Sequence, residues 1–434
     1  MIAERLLKSL SASLLTAGIF CVSLECRSEP SHPKYMGTGS CSSSNCHGSV
    51  NALTSSQVLQ NEYHTWLKLD KHSKAYAVLL NKDSKKIASH LRIAQPEKEP
   101  LCLKCHATYV PSLEAQGPKY QLEDGVSCES CHNASEQWLK SHSVSGTNHQ
   151  QNLENGLANI APLDKRATMC LSCHFGTDDK TVNHNLYGAG HPRLSFELDT
   201  FGVLQPKHWV VDGDYRKRKA DYVPVVTWLV GQTTQAIETL NAIESPKRSK
   251  NGWYPELSLF DCYSCHHSLT EEQWKKRTYD GQPGELHLNL PSLMVLREAV
   301  TALDPKLGAE FRNALGSLHS SYKNDGGRTA ASTVKRLLSR KVMPIALAAR
   351  GDASYCRTLL RQLSSFASSN RSLKYELAEQ VGMGMQALLA TAPELGTTFK
   401  SDLDVVFSTL KSAKSFAPEA FSDAAGRLNG RMGR

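Results

Sequence analysis

The chain has 434 residues, 13 Cys, 17 His and a formal net charge of +8, a length that admits two or three domains of about 100–200 residues and a sizeable core. Hydrophobic residues at 40% and charged residues at 21% exclude a wholly disordered or collagen-like chain, and the cysteines are too few and too patterned for a disulfide mini-protein. Beyond the extreme N-terminus no apolar run reaches the about 18 residues of a spanning helix, which excludes a polytopic membrane protein.

Residues 1–28 read as a secretory signal. Arg5 and Lys8 make a positive start, residues 9–24 carry no charge, and polar sequence begins at Glu25. Cleavage is expected near 26–29, although no clean A-x-A site is present; a retained membrane anchor is the alternative. Phe20 and Glu25 before Cys21 and Cys26 do not suit a lipoprotein. Either way the expected location is the periplasm or another extracytoplasmic compartment of a bacterium.

Eleven cysteines remain. Ten form five pairs, and each pair is followed at once by His: Cys41/Cys46 with His47, Cys102/Cys105 with His106, Cys128/Cys131 with His132, Cys170/Cys173 with His174, and Cys262/Cys265 with His266. Four pairs have the C-x-x-C-H spacing, which this composition would yield about 0.015 times by chance; the first has four intervening residues. C-x-x-C-H is the attachment signature of c-type haem. Cysteines at i and i+3 share one face of a helical turn and can bond two vinyl groups on one porphyrin edge. The next residue then lies under the ring as an axial iron ligand. The expanded first loop must bulge to keep its sulfurs at the same separation. Paired C-x-x-C units can also hold zinc, and disulfides suit the compartment, but neither requires a His after every second Cys. The expected cofactor is therefore five covalently attached haem c groups.

Iron with two histidine ligands needs a further imidazole at each haem. His64 and His72 lie on an expected helix over 55–80, near one face. His142 follows the third motif. His184 and His191 follow the fourth, with the flexible turn 188–190 between them. His267 points away from His266 and could serve a neighbouring haem. His208, His149, His90, His32 and His287 are weaker candidates. Which distal histidine serves which haem is left open.

All six Trp (66, 138, 209, 228, 253, 274) precede residue 275 and are expected to pack on haems or in ordinary core. The basic run 216–219 reads as a solvated face, and 222–245 as a helix. After about residue 290 the composition changes to one His, one Cys and no Trp. Leu293, Leu296, Val300 and Leu303 form one helical stripe. Leu377, Val381, Met385 and Leu388 form a second, and Leu403, Val406, Phe407 and Leu410 a third. The expected fold class is mainly α. A haem-packed multihaem domain with little regular strand spans 29–285, and a haem-free bundle of five to seven helices spans 286–434. Cys356 is expected to be a buried small hydrophobe. There is no P-loop, dinucleotide fingerprint or zinc-protease motif.

The strings KHSKAYA (71–77), CLKCH (102–106), GVSCESCH (125–132), the following His142 and CLSCH (170–174) resemble the cytochrome c-552/c-554 family, over roughly residues 35–175. YGAGHPRLSFE (187–197) and DCYSCHH (261–267) resemble its extended multihaem relatives. The resemblance implies a mainly helical fold with haems stacked in close pairs, and His72 and His142 as preferred distal ligands. The chain departs from the tetrahaem pattern in its C-x4-C-H motif, its fifth motif and its C-terminal bundle.

The expected function is electron transfer between redox partner proteins: other cytochromes, a quinol-linked complex or a periplasmic reductase. A second reading is an oxidoreductase with one open haem acting on a small nitrogen or sulfur compound, such as NO, hydroxylamine or a nitrite-like oxyanion; no motif replaces its His by Lys. A third is an electron-transfer subunit of a membrane-associated complex. No nucleic acid is expected, and propionates on five haems offset much of the +8.

Overall fold

The structure is a computed structural model that describes residues 32–54, 58–218, 222–266 and 287–433. The expected signal segment, residues 1–28, lies outside them, as do His267 and Trp274. The first part is a series of short helices joined by irregular segments. These are α1 (Glu62–Leu69), α2 (Ala75–Leu79), α3 (Lys82–His90), α4 (Pro100–His106), α5 (Cys128–His132), α6 (His149–Glu154), α7 (Leu163–His174), α8 (His184–Gly188), α9 (Leu198–Leu204) and α10 (Gly213–Arg218). The long α11 (Pro224–Glu244) follows. Strands β1 (Lys250–Asn251) and β2 (Tyr254–Pro255) form an antiparallel hairpin, the only sheet among the described residues. The C-terminal part holds α12 (Pro291–Leu303), α13 (Pro305–Asp325), α14 (Arg328–Leu337), α15 (Met343–Leu347), α16 (Ala353–Ser369), α17 (Tyr375–Thr391), α18 (Pro393–Ser408) and α19 (Pro418–Met432). The protein is thus mainly α. Among the described residues no helix is long and apolar enough to cross a membrane.

The helix expected over 55–80 is broken. Residues 55–57 lie outside the described set, and α1 stops at Leu69. Asp70 adopts an extended backbone (φ −82°, ψ 126°), and its carboxylate accepts the amide of His72 at 3.0 Å. An aspartate that caps the next turn competes with continuation of the helix it follows. A 3-10 turn, Lys71–Lys74, then leads into α2. His64 and His72 therefore do not share a helix face.

The helix expected over 222–245 is present as α11, and nearly its whole circumference is buried. Val225, Trp228, Val230, Ala236 and Leu240 are fully enclosed, and so are Gln232 and Thr233. Thr233 and Thr234 donate their hydroxyls to the carbonyls of Leu229 (2.7 Å) and Val230 (2.9 Å), which satisfies them without leaving the helix. A helix buried all round must have neighbours on every side. Here these include α7 and α9 on one side and α12, α14 and α17 on the other. The side chains of α11 belong to the same apolar core as the C-terminal helices, so that core extends across the expected boundary at residue 286.

Within the C-terminal part, Leu293, Leu296, Val300, Leu377, Val381, Met385, Leu388, Leu403, Val406 and Leu410 are buried, and Cys356 is fully enclosed. Leu303 and Phe407 pack at the edge of the core. There are eight helices here among the described residues, against five to seven expected. Pro305 and Pro393 each start a new helix soon after the last one ends, because proline favours a helix start and cannot continue one, whereas α14 runs through a π-helical stretch, Leu338–Val342, directly into α15.

Two glycines set the closest approaches of α11. A Cβ on Gly231 would stand 2.5 Å from the Leu198 Cβ of α9, and a Cβ on Gly384 of α17 would stand 2.6 Å from the Trp228 indole. By contrast nothing lies within 4 Å of a Cβ placed on Gly316 of α13. Gly231→Ala should cost about 1–3 kcal/mol by overpacking. Gly316→Ala should stabilise by about 0.5–1 kcal/mol through helix propensity. Urea unfolding of the two variants checks both signs.

Glu197 caps α9, accepting the amides of Asp199 and Thr200 at 2.8 Å each. Both acids are buried. Burial pushes the Glu197 carboxyl up to about 7 and that of Asp199 up to about 6. The Tyr222 hydroxyl donates to Asp199, and Lys207 is the cation that opposes the rise there. Unfolded carboxyls titrate near 4, so from there to about 7 the folded chain holds more protons than the unfolded one. Stability must then fall as pH rises through that window and level off above it. Glu197→Gln removes its share: relative to the parent, its urea midpoint should be higher at pH 8 and nearly the same at pH 4.5.

Candidate haem-ligation sites

Four of the five cysteine pairs sit on helical turns. Cys102 to His106 close α4, Cys128 to His132 form α5, and Cys170 to His174 are the last turn of α7. Cys262 begins a 3-10 turn, Cys262–Ser264. The expanded first motif follows the turn Thr38–Ser40. Its backbone closes as the regular ones do. The amide of His47 returns to the carbonyl of Cys41 at 3.1 Å, as that of His266 returns to Cys262 at 2.8 Å. The two extra residues are looped out, with the Ser43 hydroxyl 3.4 Å from the Cys46 sulfur. None of the ten motif cysteines is paired in a disulfide.

Every motif histidine faces one other histidine. The ring centres are 6.2 Å apart for His47 and His142, 6.4 Å for His106 and His191, and 6.4 Å for His132 and His208. They are 6.2 Å apart for His174 and His72, and 6.3 Å for His266 and His184. Two imidazoles sharing one metal at about 2 Å per bond have ring centres about 6 Å apart. The spacing therefore fits a single iron between each pair. The ring planes are 7° and 23° apart in the His47/His142 and His184/His266 pairs, and 81° to 85° apart in the other three.

Several rings are held by the nitrogen remote from the facing histidine. Nδ1 of His47 donates to Glu62 (3.0 Å) and that of His72 to Asp70 (2.9 Å). Nδ1 of His106, His142 and His191 donates to the carbonyls of Ala75 (3.0 Å), Leu139 (2.6 Å) and Pro192 (2.8 Å). A donor bond at Nδ1 fixes the tautomer that leaves Nε2 a lone pair for metal, and orients the ring. Burial lowers the pKa of His174, His191 and His208, which favours the neutral imidazole that ligation needs. His72 moves the other way, raised by its bond to Asp70.

Of the distal candidates, His72, His142, His184 and His191 each face a motif histidine, whereas His64 does not. Its ring packs edge-on against Tyr63. His267 lies outside the described residues. His208, one of the weaker candidates, is remote from His132 in the sequence and faces it only in the folded chain. The available signal was the adjoining Trp209, whose ring meets His208 edge-on as Trp138 meets His142. His90 is a positioning residue: its Nδ1 donates to the Ala189 carbonyl at 2.9 Å. Gly190 beside it takes φ 110°, which turns the chain into His191. His32 and His149 are exposed. His287 faces His319 at 6.2 Å, and neither follows a cysteine pair in the sequence, so the spacing alone does not mark a haem site.

The tryptophans divide. Trp138 and Trp209 adjoin facing histidines, Trp66 donates to the Val126 carbonyl at 3.0 Å, and Trp228 is in the α11 core. Trp253 departs from expectation: it is fully exposed at the hairpin tip and packs on nothing, because the two-residue loop turns it away from both strands.

Residues with no sequence signal tie the sites together. Glu129, inside the third motif, is buried and accepts the amides of Met36, Gly37 and Ser135, each at 2.8 Å. It thereby anchors the segment that leads into the first motif. Arg193, two residues after His191, pairs with Glu379 at 2.8 Å, and Ser195 donates to the same carboxylate at 2.6 Å. Gln380 donates to the Phe196 carbonyl at 3.1 Å and accepts from Gln232 at 2.6 Å. Phe196 in turn stacks on His174, with ring centres 5.1 Å apart. Helix α17 thus braces residues beside two of the sites.

Residues 41–133, which hold the first three motifs, match the model of the family Cytochrome c554 and c-prime. No curated protein and no solved structure matches the chain. The matched segment supports a place among the c-type cytochromes, with the covalently bound haem c and electron transfer that such a family implies.

Proposed function

We propose that the protein is an exported electron carrier holding five haem c groups. Cys41/Cys46, Cys102/Cys105, Cys128/Cys131, Cys170/Cys173 and Cys262/Cys265 are their attachment points. The axial pairs are His47/His142, His106/His191, His132/His208, His174/His72 and His266/His184. One observation carries this reading: all five motif histidines face a second histidine at the spacing that a shared iron needs. Zinc is disfavoured, since among the described residues no three His, Cys, Asp or Glu side chains converge on a metal position.

The residues have separable tasks. The cysteine turns fix each haem edge, and the Nδ1 donors hold the imidazoles in register so that neither ligand has to move. Bound haem supplies one-electron chemistry at iron, and a row of such groups provides a path for electrons. The row is ordered by the protein. Cys128 lies close to Cys41, Cys131 close to Cys170 and Cys173, and Cys105 close to Cys173. Helix α8 starts with His184, and His191 follows just beyond its end. This supports the spatial order first, third, fourth, second, fifth.

The redox partner is proposed to be another extracytoplasmic protein, reached after export by the signal at 1–28. The carrier reading is favoured over an enzyme with an open haem because no motif histidine is left without a facing histidine. A reduced spectrum of the holoprotein should be unchanged by carbon monoxide, and a pyridine haemochrome should count five haems per chain. His208→Ala should open about one fifth of the haem signal to carbon monoxide, whereas His64→Ala should open none. A carbon monoxide shift in the parent protein would overturn the carrier reading in favour of the enzyme.

The ring-plane angles give a second check. Near-parallel imidazoles split the two π-type iron d orbitals, and near-perpendicular ones leave them almost degenerate. The oxidised protein should therefore show three strongly anisotropic and two rhombic low-spin signals by electron paramagnetic resonance.

A further inference from the structure

The hairpin at 250–255 presents a surface that the five-site reading does not use. Gly252 takes φ 63° at the first loop position, as a tight two-residue hairpin loop requires. Trp253 is fully exposed beside it, Tyr254 is three-quarters exposed, and Leu257 is also exposed. Lys247 and Lys250 are exposed on the same strip. Within residues 247–257 the one acid, Glu256, is buried, and the exposed Asp178 meets the strip only at its start, where Ser245 donates to it.

The strip is fixed to the haem-ligation residues at both ends. Glu256 accepts the amide of His184 at 2.7 Å, and His184 faces His266. Ser245 donates to Asp178 at 2.7 Å, and the Arg248 guanidinium lies 5.0 Å over the ring of Phe175, the residue after His174. Cys262, Cys265 and His266 of the fifth motif are themselves exposed. A molecule seated on Trp253 is thus held next to the end of the proposed row.

From this placement we propose that the hairpin is the docking site of an acidic, soluble one-electron redox protein, which exchanges electrons at the fifth site. The proposal rests on the five-haem carrier reading. Exposed Trp and Tyr on a rigid turn are the residue types that dominate transient interfaces. Flanking lysines steer an acidic partner and set the encounter rate.

The test follows electron transfer by stopped flow between the holoprotein and a purified flavodoxin, an acidic one-electron flavoprotein. The bimolecular rate should fall as salt rises. Trp253→Ala should lower it about tenfold, equivalent to about 1.4 kcal/mol of lost interaction. The pair Lys247→Glu with Lys250→Glu should lower it further at low salt and remove or invert the salt dependence. Reduction by dithionite, which needs no docking surface, should be the same in all variants. Unchanged flavodoxin rates in both variants would overturn the docking site. So would sedimentation of the parent with phosphatidylglycerol vesicles that Trp253→Ala abolishes, since the surface would then belong to a membrane. A parent protein without a dithionite-reducible haem spectrum would instead overturn the carrier reading beneath it.

Discussion

The separation between facing imidazoles is the constraint to which the rest of the chain conforms. A ring displaced by an ångström either crowds or abandons a shared metal, since bonds to histidine nitrogen vary by only tenths of an ångström. Five pairs at 6.2 to 6.4 Å require the backbone at ten positions to be set with that tolerance. Short helices do this locally, because a cysteine pair and its histidine are one helical turn. The second histidine comes from elsewhere in the sequence, and its placement needs long-range support.

That support is polar near the rings and apolar behind them. Asp70, Glu62 and several backbone carbonyls hold the remote ring nitrogens. A hydrogen bond is directional, so it sets ring rotation as well as position. The small apolar clusters of the first half, around Leu171 with Phe196 and around Leu103 with Leu79, hold less side-chain mass than the continuous core built on α11 and the C-terminal helices. The bundle therefore serves the sites as well as itself. Through α11 it packs on α7, and through Glu379 and Gln380 it grips the segment between His191 and α9.

The same architecture separates interior and exterior roles. Glu129 and Glu197 are buried where they satisfy backbone amides, so their charge is spent on local order. Lys247, Lys250 and Trp253 are exposed on a strip that is anchored at both ends but bears none of the core. Net charge, by contrast, says little about any one face, because buried and paired groups contribute to the total without projecting a field into solvent.

What the sequence determined by itself is local chemistry. The ten cysteines and five histidines of the motifs are legible because a histidine directly follows every cysteine pair and four of the pairs repeat one spacing. The bundle stripes are legible because burial repeats with the helical period. Cys356 and the helix at 222–245 were read on the same grounds. The interrupted helix at Asp70 was not, since a single capping carboxylate outweighed an otherwise helical pattern. Only the tertiary structure decided which histidine faces which: His208 rose from a weak candidate to the partner of His132, and His64 proved to face none. A distal ligand has no required spacing from its motif; its place depends on how separate segments pack, and that is a property of the whole fold.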